Sequence, residues 1–491
     1  MSSSKIAPFE LDEVSLAQLR QALKAGRYTE PQLVQLYQAR IAELDPKLKS
    51  VIELNPDALK DAERLQAERA AGKPLGPLHG MPILIKDNIA TLDKMQTTAG
   101  SLALVGTKVK AEAPVATALR KAGAVILGKT NLSEWANFRS THSSSGWSGR
   151  GGQTRNPYAL DRSPSGSSSG TGAAIAACLA AAGIGTETDG SILSPSAACG
   201  LVGLKPTVGL LSGKGIIPIS HTQDTAGPMA RTVFDVAILL GALTGKDYSG
   251  AMVTSLKGKR IGIARKRFFG YHPATDQLAE DAIKVLKKLG AEVIDHADMA
   301  TVDTFDADET TVLLYEFKAG LNKYLAELQP GVPFKTLKEL IIFNSSVKDK
   351  ELPYFGQELL EQAQAKGPLS SPEYVKALAK CRKQSREQGI DAILTKHKLD
   401  ALFAPTQAPS WPIDWVNGDH FLGSSTSPAA VAGYPSITVP AGQVHGLPVG
   451  VSFWGRANTE ATLLRLAFAF EQATHHRRAP TFAATADFGV S

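Results

Sequence analysis

The stretch from Ser163 to Lys205, SPSGSSSGTGAAIAACLAAAGIGTETDGSILSPSAACGLVGLK, restricts this chain more than any other. It holds the sequence's densest run of Gly and Ser. A loop of small residues, Ser163 to Gly172, leads into an apolar run from Ala173 to Gly185. A second polar, glycine-containing turn, Thr186 to Ser191, follows. The apolar run reads as one small-residue helix held between two serine-bearing turns. Glycine beside serine lets backbone come close, and nucleophiles and oxyanion-binding amides are built on such rigidly supported turns. Ordinary loops and linkers share this composition, so other parts of the chain decide between the two.

With 491 residues, 43% hydrophobic and 20% charged, the chain can bury an extensive core. Lys and Arg exceed Asp and Glu by 53 to 47, and the excess is local, as in Lys257 to Arg267 and His475 to Arg478. Neither run carries interleaved aromatics or a recognisable binding module, so a nucleic-acid partner is not expected. Cys178, Cys199 and Cys381 are too few and scattered for a disulfide framework, and no CxxC pair suggests zinc. That usage fits a reducing compartment. The first residues lack a basic segment followed by an apolar core, and the longest apolar run falls short of the roughly twenty residues of a spanning helix. The expectation is a cytoplasmic chain, a removed leader aside, with no membrane partner.

Apolar residues at helical spacing mark outer helices over 15–24 and 29–44, with a third over 56–71. Met81 to Ile85 is apolar and β-prone and delivers Lys86 at its end. A lysine after a buried strand is notable, because an ammonium is expensive to bury and can lose its proton there. Helices are expected over 113–122, 233–243, 275–289 and 460–472, and strands over 124–127, 259–264, 291–294, 401–404, 436–440 and 446–454. Residues 300–399 read as mostly helical and more polar, candidates for the walls of a substrate site. Strands alternating with helices indicate an α/β architecture with helices on both faces of the sheet.

Three motif matches do not survive their context. Gly123 to Thr130 satisfies the P-loop pattern, but its middle residues, Ala-Val-Ile-Leu, form a buried strand where a phosphate loop is required. Gly166, Ser168 and Gly170 satisfy G-x-S-x-G, yet no strand precedes them and Pro164 intervenes. S-x-x-K occurs at Ser345 to Lys348 and at Ser2 to Lys5, without the partner motifs that chemistry needs.

The segments GPLHGMPILIKDN, GKTNLSEWA, SGSSSGTG, GTETDGSI, GLVGLKPTVG, QDTAGPMAR, and AVAGYPSITVPAG followed by GLPVGVSFWGR resemble the amidase signature hydrolases. They span nearly the whole chain in the expected order. The resemblance implies one large α/β domain with a central mixed twisted sheet. Its parts would be N-terminal helices over 1–75, a signature core over 76–245, and the remainder over 246–491, with 300–419 around the substrate pocket. It also implies a triad of a lysine, a cis-bonded serine and a nucleophilic serine twenty-four residues later. These fall on Lys86, Ser167 and Ser191. Backbone amides of Thr188, Asp189, Gly190 and Ser191 would form the oxyanion hole, and no metal or cofactor is required.

Elementary chemistry agrees with those roles. A serine is too weak an acid to attack an amide unaided and must hand its proton to a base. Lys86 serves only if burial brings its pKa from about 10.4 to nearer 7 or 8, roughly 4 kcal/mol of destabilised ammonium. Ser167 can donate to one partner and accept from the other. The chain departs from the commonest family pattern, GTDTGGS, in having Glu187 for aspartate and Asp189 for glycine, and has Ser165 and Ser169 where glycines are usual. One branch, the bacterial peptide amidases, is similar in TETDGS, QDTAGPMAR and SPAAVAGYPS, which implies deamidation of C-terminal peptide amides. The alternatives are a general aliphatic or aromatic amidase, the glutamine-hydrolysing subunit of a tRNA-dependent amidotransferase, and a binding protein that has lost catalysis. The partner expected is a small-molecule or peptide amide, and either a monomer or a homodimer is compatible with the sequence.

Overall fold

In chain order the strands are β1 (Val51–Leu54), β2 (Pro82–Lys86), β3 (Val125–Thr130), β4 (Trp147–Ser148), β5 (Gly152–Gln153), β6 (Ala182–Glu187) and β7 (Val202–Lys205). They continue as β8 (Thr225–Ala230), β9 (Arg260–Ile263), β10 (Glu292–Ile294), β11 (Ala401–Pro405), β12 (Ser436–Val444) and β13 (Leu447–Trp454). The computed structural model describes residues 8–331 and 334–489. Eleven of these strands pair into one sheet, ordered β1-β3-β2-β6-β8-β7-β12-β13-β11-β9-β10, while β4 and β5 form a separate short pair. The sheet is mixed. Strand β2 runs parallel to β3 and β6, and β9 runs parallel to β10 and β11. The middle, from β6 through β8, β7 and β12 to β13, is antiparallel.

Strand β2 is wholly buried, which is why it reads as an unbroken apolar run rather than an alternating one. Helices flank the sheet: Val233–Thr244 packs on β8, Pro273–Lys288 and Glu460–Thr474 on β12, and Ser169–Ala176 on β2, β3, β6 and β8. The outer helices start where their caps predict. Ser15 and Thr29 each form a capping box, with Gln18 and Gln32 respectively, and Pro31 sits in the second helix's first turn.

The structure revises the reading of the opening stretch. Ala173 to Gly185 is not one helix: Ser169–Ala176 is helical, Cys178 turns the chain with φ 56°, and β6 begins at Ala182. Alanine's helix preference gives way to tertiary context, since β6 is buried along its whole length between β2 and β8. Strands β1, β7 and β8 lie beyond the sequence expectations. In β8, Pro228 stands opposite Ile184 inside the sheet, a position where proline has no N–H to give and normally argues against a strand.

Lys129 and Thr130 lie within β3, and the Lys129 ammonium is buried, donating to Ile89 O at 2.6 Å and Thr97 Oγ1 at 3.0 Å. No phosphate loop exists there. Ser345 and Lys348 are both exposed, and the Ser2 to Lys5 match lies outside the described residues. Among the described residues no helix is long and apolar enough to cross a membrane.

Candidate active site

Parallel pairing carries Lys86, the last residue of β2, between Thr130 of β3 and the end of β6. Its side chain is fully buried, and Nζ lies 2.8 Å from Ser167 Oγ, 3.0 Å from Thr186 Oγ1 and 3.2 Å from Thr186 O. Asn88 Nδ2 donates to the same Thr186 hydroxyl at 2.9 Å. Burial pulls the Lys86 pKa down to about 7, against the opposing pull of the Asp224 and Glu187 carboxylates. Desolvation therefore dominates, as it must for an amine without a direct anionic partner.

Ser167 follows a cis peptide bond from Gly166. Its carbonyl accepts from Ser133 N at 3.1 Å, and Ser169 Oγ donates to Ser165 O at 2.7 Å, so the small-residue loop is tied into the core. Ser165 itself has φ 60°, the left-handed conformation that favours glycine at this place. Gly170 is required by close approach, since a Cβ there would lie 2.3 Å from Ser50 O and 2.4 Å from Asn131 O. Ser168 points away from solvent. Its hydroxyl donates to Thr186 O at 3.0 Å and accepts from Thr186 N at 3.2 Å, while its amide donates to Ser191 O at 3.1 Å. The G-x-S-x-G serine thus pins the two turns together.

Ser191 is 7% exposed and Ser167 1%, and both line a cavity of about 470 Å³ together with Thr188, Asp189 and Gly190. Gly190 has φ 77°, which bends the turn. Among the described residues, no hydrogen-bond acceptor engages the amides of Thr188, Asp189, Gly190 or Ser191. The turn is braced from outside: Thr188 Oγ1 donates to Asp224 Oδ1 at 2.6 Å, and Glu187 Oε2 accepts from Ile192 N at 2.7 Å and Leu193 N at 3.0 Å. Glutamate in place of aspartate is therefore accommodated as a clamp across Ser191. Burial pushes the Glu187 carboxyl up against the lowering pull of Lys205, and burial brings Lys205 down to about 8. Asp189 faces the cavity with its carboxyl also pushed up by burial, against hydroxyl contacts from Ser427 and Thr426.

All predicted site residues converge here. The sequence reading missed the supporting roles of Thr186, Asn88, Ser168 and Asp224; all four sit within the quoted motifs, and Ser168 was weighed only as the serine of a G-x-S-x-G match. From 300–419 only Leu313, Leu359, Trp411 and Asp419 reach the cavity, whereas Ala136 to Ser145, Ile219 and Phe421 to Ser427 supply most of the remainder. Among the described residues, no group of three or more His, Cys, Asp or Glu is arranged to hold a metal ion.

The chain matches the amidase family over residues 32–464. It is similar to the peptide amidase of Stenotrophomonas maltophilia, with 49% identity and a TM-score of 0.92 over 97% of this chain and 100% of that one. A probable amidase of Arabidopsis thaliana is 42% identical over 97% of this chain and 93% of its own length. A component of the glutamyl-tRNA(Gln) amidotransferase of Chloroflexus aurantiacus is 35% identical over 96% of this chain and 99% of its own length. Sequence, sheet and likeness agree: this chain belongs to the amidase family, in its amidase signature form, and is a hydrolase of carbon–nitrogen bonds in linear amides.

Proposed function

We propose that the chain removes the terminal amide from C-terminally amidated peptides, using Ser191 as nucleophile, Ser167 as proton relay and Lys86 as base. The observation that carries this reading is the 2.8 Å contact between a fully buried Lys86 and Ser167, in a turn pinned to that of Ser191. A neutral amine has two hydrogens and one lone pair. With its hydrogens directed to Thr186 O and Thr186 Oγ1, the lone pair is left for the Ser167 hydroxyl proton. Ser167 Oγ can then accept the Ser191 proton as Ser191 Oγ attacks the carboxamide carbon. The oxyanion forms beside the unengaged amides of residues 188–191, which are already oriented when charge develops. The proton returns through Ser167 to the departing nitrogen, ammonia leaves, and water attacks the acyl-Ser191 ester by the same relay in reverse.

Glutamine hydrolysis is less well supported. Free glutamine carries an α-carboxylate, and the cavity lining contains two aspartates and no Lys, Arg or His. Ammonia release by the purified chain alone, measured with a peptide amide, a simple aliphatic amide and glutamine, tests the reading. Turnover of the peptide amide without partner subunits is expected. Turnover of glutamine alone, and only with partner subunits added, would overturn it.

A further inference from the structure

Asp419 is a charged residue whose structural duties do not need its charge. Its carboxylate accepts from Ser145 N, 3.0 Å from each oxygen, and from Trp411 Nε1 at 2.8 Å to Oδ1. These bonds join the loop after β11 to the loop before β4. An asparagine oxygen could accept from the same donors without the cost of keeping an anion partly buried. Among the described residues Asp419 has no ion-pair partner, and no cationic side chain lines the cavity it faces. Burial pushes its carboxyl up against the lowering contacts from Ser145 and Trp411, and no cation among the described residues offsets that burial.

Its surroundings suit an organic cation. Trp411 and Phe421 pack edge to face, with ring centroids 5.6 Å apart, on either side of Asp419 in sequence, and both line the cavity. Ser143, Ser145 and Thr141 add hydroxyls to the same wall. A carboxylate beside aromatic rings and hydroxyls is a favourable setting for an ammonium or guanidinium group, which gains from the anion and the rings together. The other carboxylate of the cavity, Asp189, stands two residues from Ser191; the Thr426 and Ser427 hydroxyls lie against it, and its Oδ1 is buried without a hydrogen-bond partner among the described residues. It belongs to the reacting end.

We propose that Asp419, flanked by Trp411 and Phe421, is a cation subsite that selects amide substrates bearing a positive group on the acyl side of the scissile carboxamide. The inference rests on the peptide-amide reading and deepens it. One cavity of about 470 Å³ contains both Ser191 and Asp419, so a single short ligand spans them, its carboxamide at the serine and its cation at the aspartate. The cation has two possible sources, the N-terminal ammonium of a short peptide or a basic side chain.

Three peptides separate these sources: glycyl-phenylalaninamide, its N-acetyl form, and N-acetyl-lysyl-phenylalaninamide. Their dissociation constants are measured by calorimetry on Ser191→Ala, which binds without turnover, and on Ser191→Ala carrying Asp419→Asn as well. A cationic peptide is expected to bind about tenfold more tightly than the neutral one in the first protein, in keeping with a partly desolvated cation contact. The advantage should vanish with Asp419→Asn while affinity for the neutral peptide is retained. Preference for the glycyl peptide alone identifies the N-terminal ammonium, and preference for the lysyl peptide alone identifies the side chain. Equal affinity for all three in Ser191→Ala overturns the proposal even if Asp419→Asn fails to fold, and so does a preference that survives Asp419→Asn. Failure of the peptide-amide reading shows separately, as no ammonia release from any of the three by the unaltered chain.

Discussion

Replacing Lys86 by methionine is predicted to abolish turnover and at the same time make the protein more stable. Methionine fills similar volume with an unbranched apolar chain, so the main change is removal of a buried titratable amine. Burial brings the Lys86 pKa from its ordinary value of 10.5 to about 7. In the unfolded chain the lysine stays protonated to about pH 10.4, so between these values the unfolded state binds more protons, and stability rises with pH by about 1.4 kcal/mol per pH unit. The penalty is present in full below about pH 7 and is relieved as pH approaches 10.5. At pH 7 it amounts to about 4 to 5 kcal/mol. Against this stand the contacts to Thr186 and Ser167, worth about 1 kcal/mol each. The net expectation is a gain of about 1 to 3 kcal/mol at pH 7 that falls by about 1.4 kcal/mol per pH unit and has vanished or reversed by pH 9.5. Denaturant unfolding of the unaltered chain and Lys86→Met at half-unit pH intervals reads the difference directly, because all other titrations are common to both. A difference independent of pH, or a variant less stable at every pH, would refute the reasoning, since it would mean that Lys86 is charged and satisfied in the fold.

Two further outcomes follow from the same geometry. The base must be neutral, so kcat/KM for a peptide amide should be level above about pH 8 and fall tenfold per pH unit well below the Lys86 pKa of about 7; a steady-state pH profile checks this. Glu187→Ala removes the acceptor from Ile192 N and Leu193 N and is expected to cost about 2 to 4 kcal/mol, with a fall in kcat as the Ser191 turn loosens. Glu187→Gln keeps an oxygen for both amides, so unfolding midpoints and kcat should lie much nearer the unaltered values.

What the sequence revealed and what it concealed follow one physical division. Lys86, Ser167 and Ser191 were singled out by their places in motifs that resemble the amidase signature, and they lie together, Lys86 against Ser167 and Ser191 in the same cavity; β2 was legible because a strand covered on both sides is apolar up to its end. Strand β6 was hidden since AGIGTE sets only Ile184 and Thr186 among glycines and an alanine that continue the small-residue run, and it takes its conformation from β2 and β8. Strand β8 was hidden by Pro228. The supporting contacts were hidden for a different reason: Thr186 to Lys86 and Thr188 to Asp224 join residues far apart in the chain, and only the sheet order brings them together. Much of the cavity wall was not legible because its contributors include short turns, Ala136 to Ser145 and Phe421 to Ser427, with no periodicity to mark them.

On the proposed mechanism Ser191, relayed through Ser167 to Lys86, carries the acyl group. An activated peptide ester that acylates quickly and deacylates slowly, followed by proteolysis and mass spectrometry, locates that group. One acyl increment is expected, on the peptide containing Ser191, absent from Ser191→Ala and slowed in Lys86→Met. An increment on Ser167 or Ser168, or undiminished labelling of Ser191→Ala, would contradict it.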